Sequence, residues 1–249
     1  MIMPFRFSSA TALTAGVLMF AGCAGAPEGS VSLADSEPPP HNTLTDAELA
    51  EGWALLFDGS STAGWHNYGQ PGIRDGWQAI DGEMVHVGGG GDIVTNQVFQ
   101  DFEMVMDWKV EEGGNSGVFI HANESAPRIF EGAPEMQILD DAVHPDGQNP
   151  LTSAGANYAI HPAPRGVVHP AGEWNSIRIR VEGARIQQWM NGQMIVDYER
   201  WTPEWEALVA ASKFQQWPVY GTYREGPIGL QDHGDRVYFR NIKARVLNP

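Results

Sequence analysis

The sequence predicts an all-β protein, an antiparallel β-sandwich with a short N-terminal helix and one rim helix near 203–214. Three observations predict it. Apolar Phe102, Met104, Met106, Trp108 and Val110 alternate with Glu103, Asp107 and Lys109, the period of a strand with one buried face. Ile177, Ile179 and Val181 alternate with Arg178, Arg180 and Glu182 in the same way. Segments 185–190 and 193–198 flank Asn191-Gly192, a pair that suits the left-handed backbone of a two-residue hairpin turn. With 29 glycines and 17 prolines in 249 residues, the chain is divided into many short segments, as a sandwich requires.

Taken in order, residues 1–22 read as a lipoprotein signal peptide: Arg6, then a mostly apolar stretch from Ala10 to Phe20, too short to span a bilayer comfortably. Phe20-Ala21-Gly22-Cys23 resembles a bacterial lipobox, with Phe where Leu is usual. Cys23 is the expected lipidation site, and Ala24 carries no Asp signal for inner-membrane retention. The expected location is therefore outside the cytoplasm, anchored to the outer membrane. Residues 23–43, with Pro38-Pro39-Pro40, read as a flexible tether, and 44–249 as one folded domain. Thr45 is placed to cap a short helix, and Glu48 completes a capping box. Further strands are expected at 54–57, 77–87, 117–121, 135–139, 157–161 and 237–246. Thr202-Pro203 opens the rim helix, which carries Trp205, Leu208, Val209 and Ser212 at helical spacing.

Charge and cysteine count exclude several functions. A formal charge of −16 repels nucleic acid and anionic lipid. One cysteine permits neither an intramolecular disulfide nor a thiolate metal cluster. No Gly-x-Ser-x-Gly, phosphate-binding glycine loop or His-Glu-x-x-His is present, so the common hydrolase, nucleotide and zinc-protease signatures are missing.

Four polar clusters remain. In 114–121 an extended chain puts Asn115, Phe119 and His121 on one face. In 135–141, Glu135 and Gln137 share a face opposite Met136 and Ile138, with Asp140 following. A carboxylate and an amide two residues apart suit sugar hydroxyls or a hard cation. Segment 141–146, with His144, reads as a binding loop or as plain turn chemistry. The run Gln231-Asp232-His233-Gly234-Asp235 offers a histidine as base or ligand. Lys213 is either a cation at the site or a charge at a helix end. Among nine tryptophans, Trp65, Trp77 or Trp217 could stack on a sugar ring.

Gly52-Trp53-Ala54-Leu55-Leu56-Phe57-Asp58-Gly59, Gly114-Asn115-Ser116-Gly117-Val118-Phe119, Glu135-Met136-Gln137-Ile138-Leu139-Asp140, Trp189-Met190-Asn191-Gly192 and Gly229-Leu230-Gln231-Asp232-His233-Gly234 together resemble the 3-keto-disaccharide hydrolase domain family. The resemblance implies a concanavalin-A-like jelly roll. It also implies cleavage of 3-keto-glycosides, by elimination and then hydration at a site on a concave sheet face. The expected catalytic residues are Glu135 and His233, either of them the base. Asn115, His121, Gln137, Asp140, His144, Lys213 and Gln231 are expected to bind a carbohydrate substrate. A calcium or magnesium ion held by Glu135 would polarise the ketone. The alternative reading is a non-catalytic carbohydrate-binding module on the cell surface.

Overall fold

The structure is a computed structural model, and it describes residues 40–247. The leader, Cys23 and most of the tether lie outside the described residues. Thirteen strands follow in chain order: β1 (Ala54–Leu55), β2 (Trp65–Asn67), β3 (Trp77–Ile80), β4 (Glu83–His86), β5 (Ile93–Thr95), β6 (Phe102–Val110), β7 (Asn115–Phe119), β8 (Glu135–Leu139), β9 (Asn175–Glu182), β10 (Arg185–Met190), β11 (Gln193–Glu199), β12 (Gly229–Leu230) and β13 (Val237–Val246). They build two antiparallel sheets. The larger runs β11-β10-β9-β6-β13-β4-β3, with β1 also paired to β13; the smaller runs β2-β5-β12-β7-β8. The antiparallel sandwich expected from the alternating pattern is what forms.

Alternation decides which faces meet. Met104, Met106 and Trp108 of β6 and Ile177, Ile179 and Val181 of β9 are all at most 1% exposed, and they join Val118, Met136, Ile138 and Leu230 of the smaller sheet in one core. Expelling so much apolar surface from water is the main force holding the sheets together. Asn115 of β7 and Glu135 and Gln137 of β8 consequently lie on the outward face of the smaller sheet. In both sheets a late segment joins two earlier halves: β12 lies between β5 and β7, and β13 between β4 and β6.

Local chemistry sets the turns and helices. Asn191 and Gly192 take φ of 49° and 80°, the left-handed pair that a tight hairpin needs. The strand expected over 77–87 is instead the hairpin β3–β4, because Asp81 and Gly82 turn at φ 52° and 82°. The stretch 157–161 makes turns with isolated bridges rather than a strand, whereas β2 and β5, which lack a long alternating pattern, are strands. Helix α1 (Asp46–Ala50) has the expected Thr45–Glu48 capping box. The short α2 (Ile129–Gly132) lays Ile129 against Val94 and Phe119, covering one end of the smaller sheet's outward face. The rim helix α3 (Pro203–Ala211) starts at the Thr202 cap and stops at Ser212, where a 3-10 turn, Lys213–Gln216, begins.

Candidate active site

Beside the part of the sheet covered by α2, the outward face is open. A pocket of about 180 Å³ sits there, lined by Asn115, Phe130, Glu135, Gln137, Asp146, Tyr158, Lys213, Gln231 and His233. Register makes its floor: Gly117 pairs with Gln137 and Phe119 with Glu135. Gln231 extends β12, and its N–H donates to the Gly117 carbonyl at 3.0 Å. A Cβ on Gly117 would lie 2.1 Å from Glu135 Oε1, so only glycine leaves room for the carboxyl to lie across β7.

The floor is buried and charged at once. Glu135 is 5% exposed. Burial pushes its carboxyl up to about 8, opposed by the Lys213 ammonium and reinforced by Asp92 and Asp146. Lys213 is displaced downward by desolvation, with Glu135 and Asp146 acting against that shift. Lys213 Nζ sits 4.1 Å from the centre of the Tyr158 ring, and Tyr158 donates its hydroxyl to Asp146 Oδ2 at 3.2 Å. These form one wall, a cation with an acidic and a phenolic oxygen behind it.

The amides on the floor are unusual for buried groups. Gln137 is 1% exposed, yet neither end of its amide has a protein partner; Asn115 Oδ1 and Gln231 Oε1 are likewise unpaired. Leaving such atoms buried and unpaired is costly. Four of them converging on one pocket mark a surface made to bind a ligand rich in hydroxyl and carbonyl groups.

His233 stands at the exposed rim, on a turn fixed from below. Asp232 Oδ2 accepts from Gly91 N–H at 2.6 Å, and Oδ1 from Gly234 N–H at 2.8 Å. The buried His86 ring places Nε2 2.9 Å from Asp232 and Nδ1 2.7 Å from the Asp235 carbonyl. Under the same turn Asp92 is pushed up to about 6, mainly by burial. His144 stands behind the lining, its ring 6.3 Å from that of His233 and its Nε2 3.5 Å from the Asn115 amide.

Two expected binding residues lie elsewhere. His121 takes φ 51°, which ends the alternation that would have kept it beside Asn115. It is buried between the Gln100 carbonyl, to which Nε2 donates at 2.8 Å, and Arg200, whose Nη2 donates to Nδ1 at 2.9 Å. Burial, then Arg200, lowers its pKa to about 4. Asp140 turns back to accept from Gly113 N–H at 2.8 Å and Ala142 N–H at 3.1 Å, capping the turn after β8. Trp65 and Trp77 are core residues, 4% and 2% exposed; Trp217 stays half-buried near the pocket. Sequence reasoning passed over Asp146, Tyr158 and Phe130 as site residues. Asp146 was legible only as part of a turn cluster, and nothing in the pattern set Tyr158 or Phe130 apart from core aromatics.

A calcium or magnesium ion at Glu135 would have to be held by that carboxylate and the amide oxygens of Asn115, Gln137 and Gln231 rather than by a cluster of carboxylates. Among the described residues no three His, Cys, Asp or Glu side chains are grouped to hold a metal. Beside Glu135 the positive charge is supplied by Lys213.

The profile of the 3-keto-alpha-glucoside-1,2-lyase-like domain matches residues 52–245. A 3-keto-disaccharide hydrolase of Bacteroides thetaiotaomicron is 36% identical over 231 residues, covering 80% of each chain. A crystal structure of an inferred glycosyl hydrolase from Parabacteroides distasonis superimposes with a TM-score of 0.78 at 33% identity, covering 84% of this chain and all of that one. A second such structure from the same organism has a TM-score of 0.61 at 29% identity, with coverages of 78% and 99%.

Proposed function

Because the chain belongs to the 3-keto-alpha-glucoside-1,2-lyase-like domain family, we propose that it cleaves glycosides already oxidised to a ketone at sugar carbon 3, by elimination across carbons 1 and 2 followed by hydration. The observation that carries this reading is the Glu135 carboxyl, buried on the pocket floor and raised to about 8 beside the Lys213 ammonium. A base tuned close to working pH suits removal of a weakly acidic C–H. A binding module has no use for such a group, so the non-catalytic reading loses its support.

The steps follow from the groups at hand. Glu135, as carboxylate, takes the proton on carbon 2. The C–H electron pair becomes the carbon 2–carbon 3 double bond, and charge moves to the ketone oxygen. Lys213 and the Gln137 amide stabilise that oxyanion as it forms. The enolate collapses, the carbon 1–oxygen bond breaks, and His233 at the rim gives the leaving oxygen a proton. Water then adds its hydroxyl to carbon 1 of the unsaturated ketone as Glu135 returns a proton to carbon 2, and His233 takes up the water's other proton. The sum is hydrolysis, with enzyme and protons restored.

Turnover in heavy water is expected to place deuterium at carbon 2 of the product, beyond the spontaneous exchange seen without enzyme. The unoxidised parent glycoside is expected to be inert, since its carbon 2 proton is not acidified. His233→Ala should reduce turnover by roughly 100-fold. Equal activity on both glycosides, or no enzyme-dependent label at carbon 2, would overturn the mechanism.

We also propose that Cys23 carries a lipid that anchors the domain to the outer membrane, outside the cytoplasm. The support is the apolar leader ending in Phe20-Ala21-Gly22-Cys23. Cys23→Ser is expected to move the protein from the membrane fraction to a soluble or unprocessed form. Unaltered fractionation, with no acyl mass on Cys23 in the wild type, refutes the anchor.

A further inference from the structure

We infer that the cleft beside α3 is a second subsite that takes a flat apolar leaving group, an aryl aglycone joined to the sugar held over Glu135. This deepens the proposed function and rests on it. At about 180 Å³ the pocket is smaller than the roughly 300–1,000 Å³ that encloses a drug-sized ligand. It therefore takes one sugar ring, and the group on carbon 1 lies outside it.

The pocket's walls say where that group goes. They are polar on most sides, and the face of Tyr158 is taken by Lys213 at 4.1 Å. Phe130 is the remaining aromatic wall. It meets Trp217 edge-on, 5.5 Å between centroids at 74°. On the far side of that pair lies a cleft of about 340 Å³, whose lining includes Trp201, Val209, Phe214, Trp217, Pro218 and Tyr220. Glu206 is the only charged side chain in the lining. The two cavities share no lining residue and adjoin at that ring pair, and across it the lining changes from amides and charges to mostly aromatic and aliphatic side chains, with Glu206, Gln215 and Thr222 among them.

Its base is rigid. Phe214 lies 3.8 Å from Tyr220 at 8°, and Tyr220 stacks in turn on Trp205 at 7°. Preformed flat apolar surface of this kind binds an aromatic ring without reordering side chains. A second sugar would need several converging unpaired polar atoms such as the four of the first pocket, whereas in this cleft the buried unpaired atom is the Tyr220 hydroxyl.

The test compares kcat/KM for 4-nitrophenyl 3-keto-glucoside with that for a 3-keto-disaccharide, in wild type, Trp217→Ala and Val209→Glu. In each variant the ratio of aryl to disaccharide activity is expected to fall about tenfold. An unchanged ratio overturns the subsite, and a ratio that rises assigns the cleft to a sugar instead. If neither substrate is cleaved by the wild type, the proposed function fails, and the cleft is read separately with 2-naphthol. Saturation-transfer NMR should then detect 2-naphthol on the wild type and lose it in Val209→Glu; no transfer to the wild type overturns the subsite as well.

Discussion

Glu135→Gln is expected to lower kcat/KM on a 3-keto-glycoside by roughly 10²–10⁴-fold, the scale of a general acid–base group, and to make the protein more stable above pH 8. Both results come from the same burial. The carboxyl is raised from its ordinary 4.5 to about 8 in the fold. Between those values the folded protein holds a proton that the unfolded chain releases. Stability is therefore fully present below about 4.5 and is lost as pH rises through about 8. Glutamine fills the same space and cannot ionise. The variant should gain several kcal/mol over wild type by pH 8.5, at roughly 1.4 kcal/mol per pH unit between about 4.5 and about 8, and nothing at pH 4. In the wild type, kcat/KM should pass through a maximum with pH, because Glu135 must be ionised and His233 protonated at once. A profile with no alkaline limb removes His233 as the acid. An active variant, or one less stable than wild type at pH 8.5, removes Glu135 from the mechanism.

Gly117→Ala should cost about 100-fold in turnover while the fold survives. The new Cβ would fall 2.1 Å from Glu135 Oε1 and 2.8 Å from its Cγ and Cδ, so the side chain must swing off β7. Misplacing a reacting group by about 1 Å is enough for a loss of that size. The carboxyl is the movable end of a flexible side chain, so the change in thermal midpoint should be small. Gly229→Ala is the control: its Cβ would press on Ile129 Cδ1 at 2.5 Å, away from the pocket, and turnover should stay within a few-fold of wild type. Wild-type turnover in Gly117→Ala would mean that the observed carboxyl position is not the working one.

Part of this was legible in the sequence because strands obey a two-residue period. That period placed Glu135 and Gln137 on one face opposite Met136 and Ile138, and the register bears it out. The capping box at Thr45 and the hairpin at Asn191-Gly192 are local chemistry, so they too could be read directly. The period fails where the backbone leaves the strand. His121 turns left-handed and goes to Arg200, and Asp140 spends its oxygens on the next turn. Asp146 and Tyr158 could not be placed because they reach the pocket from the turn-rich segment after β8. No periodicity governs such a segment, and only the folded chain shows where it returns.

The placing of β12 and β13 between earlier strands has a kinetic consequence. Until residues 229–246 have been synthesised, β5 and β7 have no shared neighbour, and neither do β4 and β6. Each sheet is then two fragments with open edges, exposed to pairing with other chains. Folding must wait for the end of the chain and then close loops of more than a hundred residues, as between β5 and β12, so slow, all-at-once assembly is expected rather than growth from the N-terminus. A chain stopped before Gly229 would keep the residues of the pocket floor on β7 and β8, yet it would be an aggregation-prone collapsed fragment.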